Sequence, residues 1–385
     1  MALDFPSSPT DGQVFGNYTY STSKGAWIVT PTSSRVVTTS DTAPTSPTNG
    51  DMWLYTVDGT CFIYYNDGTS AQWIEQSRNT VSASTYQSPN FLINGAFDFW
   101  QRGTTSSTND TYIVDRWRQF WNAGTATVSR STDVPVNTLQ YSVSFASTSG
   151  TSPALFQRIE AANAIPLVGQ TVTFSIWAKS TVGTGGLSWT SFFPTTTADT
   201  FSAVTTDQSG VFEATMTVGT WTRYSATFTV AAGAVRGYGV NVYRNVTTTS
   251  TTTLYAGAQL EIGTAATSFR RNAPSIQAEL AACQRYYAQS GALSSYSDNA
   301  ALFTARTTPA DISGWGRVPV FVPMRIQPTV VFYSFSGTSN RISVGATGAG
   351  DTTVTVNNQA GNLFVIAAGA ASGTWYANWT ATAEL

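Results

Sequence analysis

Histidine is absent from the 385 residues. Without it the chain lacks the commonest general base at neutral pH and the commonest metal ligand, and no Ser-His triad can form. No G-x-S-x-G elbow and no glycine-rich nucleotide loop occurs either. Charge is scarce: 10% of residues are charged, against about 25% in ordinary globular chains. The net charge of −2 leaves no basic footprint for nucleic acid or an anionic membrane. The two cysteines, Cys61 and Cys283, lie far apart in different expected domains. They imply no disulfide framework and read as small buried hydrophobes. No apolar run approaches about 18 residues, "NLFVIAAGAA" being too short to span a bilayer. The stretch "MALDFPSSPTDG" has neither a basic region nor an apolar run, so no signal peptide is expected.

What is present is hydroxyl and aromatic. Ser and Thr make up about a quarter of the chain, aromatics 13%, and there are 31 glycines. Thr and aromatics favour strands, and Gly favours turns. The composition therefore predicts an all-β protein with a neutral, hydroxyl-rich surface and enough apolar mass for real cores.

A repeat opens the chain. "PSSPTDGQVF" (6–15) matches "PTSPTNGDMW" (44–53), with Asp11 opposite Asn49, and "AWIV" (26–29) is echoed by "QWIE" (72–75). Each copy reads as a Pro-rich lead-in, a D-G or N-G turn and a small meander ending on a Trp-Ile strand. Further turns are expected at Asp58-Gly59 and Asp67-Gly68. The organisation predicted is a first β repeat over 1–38, a second over 39–78, and a linker over 79–88. A jelly-roll domain is expected over 89–271, a connecting helix of about four turns over 272–290, and a smaller β-sandwich over 291–385.

In the central region a period of two sets the faces. Val172, Phe174, Ile176 and Ala178 share one side of "TVTFSIWAKS", Tyr224, Ala226, Phe228 and Val230 one side of "WTRYSATFTV", and Leu139, Tyr141, Val143 and Phe145 one side of "LQYSVSF". Trp117 and Trp121 of "DRWRQFW" read as core or as an arginine-aromatic stack. Trp177, Trp221, Arg223, Asn241 and Tyr243 fall on the opposite phase. They are expected to form one open face, flat rings and amides being what a sugar needs. A glycosidase needs two carboxylates about 5–9.5 Å apart. Asp98, Asp110, Asp115, Asp133, Glu160, Glu213 and Glu261 are available, but no spacing pairs them, and the chain reads as non-enzymatic.

The segments "PNFLINGAFDFWQRG", "YIVDRW", "FSIWAKS", "LYAGAQLEIGTAATSF", "ELAACQRYY", "VPMRIQPTVVFYSFSG" and "YANWTATAEL" together resemble bacteriophage tail-fibre and receptor-binding proteins. The repeated "FPSSPTDGQVF…AWIV" is similar to short modules of such fibres, and the central region resembles the jelly-roll carbohydrate-binding modules built into them. The resemblance implies a virion protein on the particle surface, made in the host cytoplasm and joined to sister chains as a homotrimer. Its N-terminal repeats would also meet other virion proteins, and it would bind host cell-surface glycan without nucleic-acid binding or membrane insertion. A head fibre or capsid decoration protein, a glycan depolymerase and a secreted cellular carbohydrate-binding protein are the alternatives. By the same resemblance "PNFLINGAFDFWQRG" would supply the first strand of the jelly roll and Gln259 to Gly263 its closing strand. A structural calcium ion would sit where those strands meet, near Asn94, Asp98 and Glu261. No other cofactor is expected.

Overall fold

The computed structural model describes residues 5–15, 18–29, 37–57, 60–75, 88–245, 249–290, 302–303, 313–318, 322–344, 351–359, 362–368 and 375–385. The fold is all-β, and its contacts divide the chain into two units, Met1–Gln87 and Ser88–Leu385.

The first unit holds two small sheets. In one, β1 (Val14–Phe15), β2 (Tyr18–Ser21) and β3 (Ala26–Val29) form a meander. The other has the order β4 (Val37–Ser40), β5 (Met52–Tyr55), β6 (Cys61–Asn66), β7 (Ala71–Glu75). The sequence repeat is a repeat of hydrogen bonds. Gly12 N–H donates to Tyr20 O and Gly50 N–H to Tyr64 O. The Asp11 carboxylate accepts from Thr22 N–H at 2.7 Å, and the Asn49 amide oxygen accepts from Asn66 N–H at 3.0 Å. Gly12 and Gly50 have φ of 77° and 94°, a left-handed backbone that explains why glycine closes both turns. The Asp67-Gly68 turn is present, Asp67 Oδ1 accepting from Thr69 and Ser70 N–H. The Asp58-Gly59 turn lies outside the described residues.

The second unit is built on a two-layer sandwich. Its strands are β8 (Thr105–Ser106), β9 (Thr111–Val114), β10 (Trp117–Trp121), β11 (Ala126–Ser131), β12 (Ser142–Ser147) and β13 (Pro153–Ile159), followed by β14 (Thr171–Ser180), β15 (Leu187–Pro194), β16 (Val204–Glu213), β17 (Thr222–Thr229), β18 (Tyr238–Arg244) and β19 (Thr251–Ile262). One sheet runs β16-β15-β18-β13-β10-β9 and the other β17-β14-β19-β12-β11-β8. All pairings within them are antiparallel. Their inner faces enclose one core that includes Trp117, Phe145, Leu155, Phe174, Val240 and Tyr255, all fully buried. The expected inward phases of β14 and β17 hold: Val172, Phe174, Ile176 and Ala178 are at 0% exposure, and Tyr224, Phe228 and Val230 are buried. Trp117 and Trp121 are core residues.

Four expectations need correction. "PNFLINGAFDFWQRG" is a run of turns and irregular backbone, not a strand. It lies along β19, Phe91 N–H donating to Leu260 O and Ala258 N–H to Gly95 O. Left-handed Asn94 and Phe97, with φ of 55° and 58°, break the extended path. Gln259 to Ile262 do lie, as expected, in the last strand of the sandwich, β19, which is central between β14 and β12. The helix spans Ile276–Gln284 with Ser275 as its cap. It stops early because Tyr287–Gln289 is strand β20, paired with the last strand of the chain, β28 (Asn378–Thr382). Of the run "LQYSVSF", Val143 and Phe145 enter the core, whereas Leu139 packs outside it. Finally, Cys61 is only half-buried, although Cys283 is fully so and both thiols are free.

Beyond β20 come β21 (Leu302–Phe303), β22 (Ser313–Val318), β23 (Thr329–Tyr333), β24 (Arg341–Val344), β25 (Asp351–Gln359), β26 (Asn362–Ala368), β27 (Trp375–Tyr376) and β28 (Asn378–Thr382). They form a three-stranded sheet, β20-β28-β23, and a six-stranded one, β21-β27-β24-β25-β26-β22. The residues after β28 are clasped to the sandwich: Glu384 pairs with Arg102 and Arg116, and Tyr112 Oη donates to the Leu385 main-chain oxygen.

The closeness of the 89–103 segment to β19 can be tested. A Cβ on Gly95 would lie 2.2 Å from Ala258 O, a backbone atom that cannot swing aside. Gly95→Ala is expected to cost about 1–3 kcal/mol, the usual price of overpacking, read as a lowered urea midpoint. An unchanged midpoint would show that this segment is not seated on β19.

Candidate functional site

The expected sugar-binding residues lie on two opposite sides of the sandwich. Trp177 on β14 stands opposite Arg223 on β17 in one sheet, and Trp221 directly precedes β17. Asn241 and Tyr243 are on β18 in the other sheet. All five point away from the core, as their phase requires, but they do not form one face.

The Trp177 side is covered. Trp177 and Trp221 pack in a second apolar cluster with Ala96, Leu139, Ala256 and Phe269. The loop before β12 is pinned over them. Asp133 accepts from Trp221 Nε1 at 2.9 Å and from Lys179 Nζ at 2.5 Å. Those hydrogen bonds, the lysine's first, hold the Asp133 carboxyl below its usual range. Arg223 turns its guanidinium onto Ser175 Oγ at 3.0 Å. Further along this sheet a cleft of about 360 Å³ is lined by Thr127, Thr148, Thr181, Thr252 and their neighbours, with no ring in it.

The Asn241 side is the more open. Antiparallel register aligns Tyr112, Arg118, Phe156, Asn241, Thr190 and Ser209 in one row across all six strands. The next outward row is Phe120, Ala154, Tyr243, Ser188 and Val211. Phe120 is 39% exposed and Val211 62%, while Phe156, Asn241 and Tyr243 are half-buried. At one end of the face the Phe192 ring fills the space a Cβ on Gly239 would need. It meets Phe156 and Phe201 edge-on at 6.3 and 6.1 Å. Arg118 and Arg158 each approach the Phe156 ring at 5.5 Å, and Arg118 is paired with Asp110. The result is a shallow platform of rings, one amide, hydroxyls and a guanidinium. Phe120 and Phe156 were not singled out from the sequence, although the inward phase of Trp117 and Trp121 already turns Phe120 outward.

The oxygens of the expected calcium ligands are mostly committed. Asn94 accepts from Phe99 N–H and donates to the Phe99 and Asp115 carbonyls. Glu261 accepts from Thr267 N–H, Thr267 Oγ1 and Gln259 Nε2. Asp98 Oδ2 is held by Arg271 Nε at 2.7 Å, leaving Oδ1 as its one unpartnered oxygen. Calcium takes six to eight oxygens, and this set does not fit it. Among the described residues no cluster of three or more acids, cysteines or histidines could hold a metal ion.

Glu160 and Asp115 are similarly engaged. Glu160 receives both Nε and Nη2 of Arg285. Burial raises its pKa, but the bonds from Arg285 and Tyr286 outweigh that and lower it. Asp115 is buried beside Arg102 and Gln101, and burial pushes its carboxyl up to about 6. Glu213 is exposed on β16.

No protein-family model matches the sequence, and no curated protein is similar to it. Solved structures similar to parts of the chain include the enzymatically active domain of tailspike protein 4 of bacteriophage CBA120. That match has 18% identity and a TM-score of 0.32, covering 45% of this chain and 21% of that one. The CBM22-2 xylan-binding domain of Paenibacillus barcinonensis matches at 17% identity and a TM-score of 0.28, over 41% of this chain and 98% of that one. The module TmCBM61, solved with β-1,4-galactotriose, matches at 14% and 0.28, over 46% and 100%.

Proposed function

We propose that this chain is a modular, non-catalytic glycan-binding protein, a bacteriophage tail fibre or receptor-binding protein that attaches the particle to host surface glycan. The observation that carries the glycan part is the pair of outward rows on the β16-β15-β18-β13-β10-β9 sheet, where Phe120, Phe156 and Tyr243 lie beside Arg118, Asn241 and Thr190. Flat rings take the C–H faces of a sugar, and the amide, hydroxyl and guanidinium take its hydroxyls. Attachment without hydrolysis is favoured because Asp98, Asp110, Asp133, Glu160 and Glu261 are each held by a cation. The virion location and the homotrimer rest on the resemblance of the sequence segments and on the small size of the N-terminal modules.

Each ring contributes on the order of 1–2 kcal/mol. Tyr243→Ala and Phe156→Ala are therefore expected to weaken binding of isolated host envelope glycan about tenfold each, measured by calorimetry. Trp177→Ala, whose ring lies under a loop, should leave affinity unchanged. Loss of binding in Trp177→Ala alone would overturn the assignment of the face. Incubation with the polysaccharide should release no reducing ends, and turnover abolished by removing one carboxylate would establish a depolymerase instead.

A further inference from the structure

The outer face of the β16-β15-β18-β13-β10-β9 sheet is uneven in charge. A third outward row, beside that of Phe156 and Asn241, aligns Arg158, Gly239, Phe192 and Thr206. Arg118 on β10 is the register partner of Phe156 on β13, and Arg158 follows Phe156 by two residues on the same side. Both guanidinium groups therefore approach the same ring, each at 5.5 Å. None of the three outward rows contains an acid. Asp110, just before β9, is paired with Arg118, and its side chain is 49% exposed. Among the described residues no acidic side chain is paired with Arg158. Its Nη1 donates to the Leu385 main-chain oxygen, and its Nε is buried with no acceptor. Burial pulls its pKa below the ordinary value, and the like charges of Arg118 and Arg116 pull the same way, against Tyr112 and Asp110. Two cations thus share one exposed acid, in a chain whose net charge is −2.

We propose that this end of the face takes a hexuronate unit of an acidic glycan, its ring on Phe156 and its carboxylate on Arg118 and Arg158. The inference rests on the glycan reading above and names its substrate class. The planar fork of a guanidinium matches a planar carboxylate. A neutral sugar would cover the surplus charge without compensating it, and an unpaired charge is costly to cover. A polyol phosphate would supply the charge but no ring for Phe156 to stack on.

Tetragalacturonate and its methyl ester differ in charge and little in shape. Calorimetry on the full chain is expected to show the acid bound at least tenfold more tightly, as hydrogen bonds to a charged group imply. That preference should shrink as salt rises from about 0.05 M to about 0.5 M. Arg118→Gln and Arg158→Gln should each bring the ratio of the two affinities close to one. Arg118 is 21% exposed, so its variant decides the matter if Arg158→Gln fails to fold. Asp110→Asn frees Arg118 and should tighten the acid about threefold while leaving the ester unchanged. Tyr243→Ala should weaken both ligands equally. Equal affinity for acid and ester would overturn the inference and leave the glycan reading standing, as would binding of neither when host envelope glycan binds. A preference for the acid that survives both arginine variants, or an Asp110→Asn protein that binds it more weakly, would also overturn it. A glycerol-phosphate tetramer bound as tightly as tetragalacturonate would overturn the choice of a sugar carboxylate. A folded chain that binds none of these and no host glycan would overturn both readings.

Discussion

Arg116→Met is expected to destabilise the second unit by about 3–5 kcal/mol, the usual cost of removing one partner of a buried ion pair. The side chain is 1% exposed. It sits in the two-residue turn between β9 and β10, with a left-handed φ of 70°, a conformation non-glycine residues rarely adopt. Its guanidinium is used on three sides. Nη1 pairs with Glu384, Nη2 donates to Arg158 O at 2.6 Å, and the plane lies 3.4 Å from the centre of the Tyr286 ring. Glu384 is itself 7% exposed, so without Arg116 its one remaining cation among the described residues is Arg102, at 2.9 Å. One of the two ion pairs that hold the residues after β28 to the sandwich would then be lost, leaving Arg102 with Glu384 and the bonds of Tyr112 and Arg158 to the Leu385 oxygen. Arg116→Lys keeps the charge but not the planar stack or the forked donation, and should fall between wild type and Arg116→Met. Urea unfolding followed by near-ultraviolet circular dichroism measures the loss, and limited proteolysis should cut Arg116→Met first in the C-terminal sheets. A loss under about 1 kcal/mol would show that this clasp does not bind the C-terminal strands to the sandwich.

The phase of each strand was legible in the sequence because a period of two leaves no freedom once one side is core. Val172, Phe174 and Ile176 went in, so Trp177 had to go out, and it does. Phase does not say which sheet a strand joins. β18 pairs with β13 and β15, and β14 with β17 and β19. These are non-local choices, made by packing that no short window of sequence contains. Asn241 and Trp177 were therefore both correctly turned outward and wrongly placed side by side. Phase also does not say what lies above a residue. The loop carrying Asp133 crosses Trp177 and Trp221 because of two hydrogen bonds from distant side chains. The repeat was legible for the opposite reason: its Gly turns and Asp11 or Asn49 caps act over a few residues. The "PNFLINGAFDFWQRG" stretch misled because its expected strand rested on the resemblance, while Asn94 and Phe97 adopt left-handed backbone, frequent for Asn and rare for Phe.

Asp115 gives this fold an unusual pH dependence. Its carboxyl is 1% exposed, and burial lifts its pKa from the ordinary 3.8 to about 6, against the pull of Arg102 and Gln101. Between those two values the folded state holds a proton that the unfolded state has lost. Stability conferred by this residue therefore falls as pH rises from about 4 to about 6, by about 3 kcal/mol in all. Above that window an ionised Asp115 is a standing cost, offset in part by Gln101 Nε2 at 2.6 Å and Arg102 Nη1 at 3.5 Å. Asp115→Asn does not titrate and keeps an acceptor for Gln101, while Arg102 keeps Glu384. Other acids contribute to the pH profile of both proteins, so the informative quantity is the difference between variant and wild type. Urea midpoints at about pH 4.5, 5.5, 6.5 and 7.5 should show that difference moving steadily in favour of Asp115→Asn as pH rises, levelling above pH 6. Parallel profiles, or a difference that grows toward acid, would mean that Asp115 is ionised throughout and that Arg102 outweighs burial. The face proposed to bind glycan, on the outer side of β10, β13 and β18, does not include Asp115, so on that proposal binding at constant fold content should stay flat across the same window.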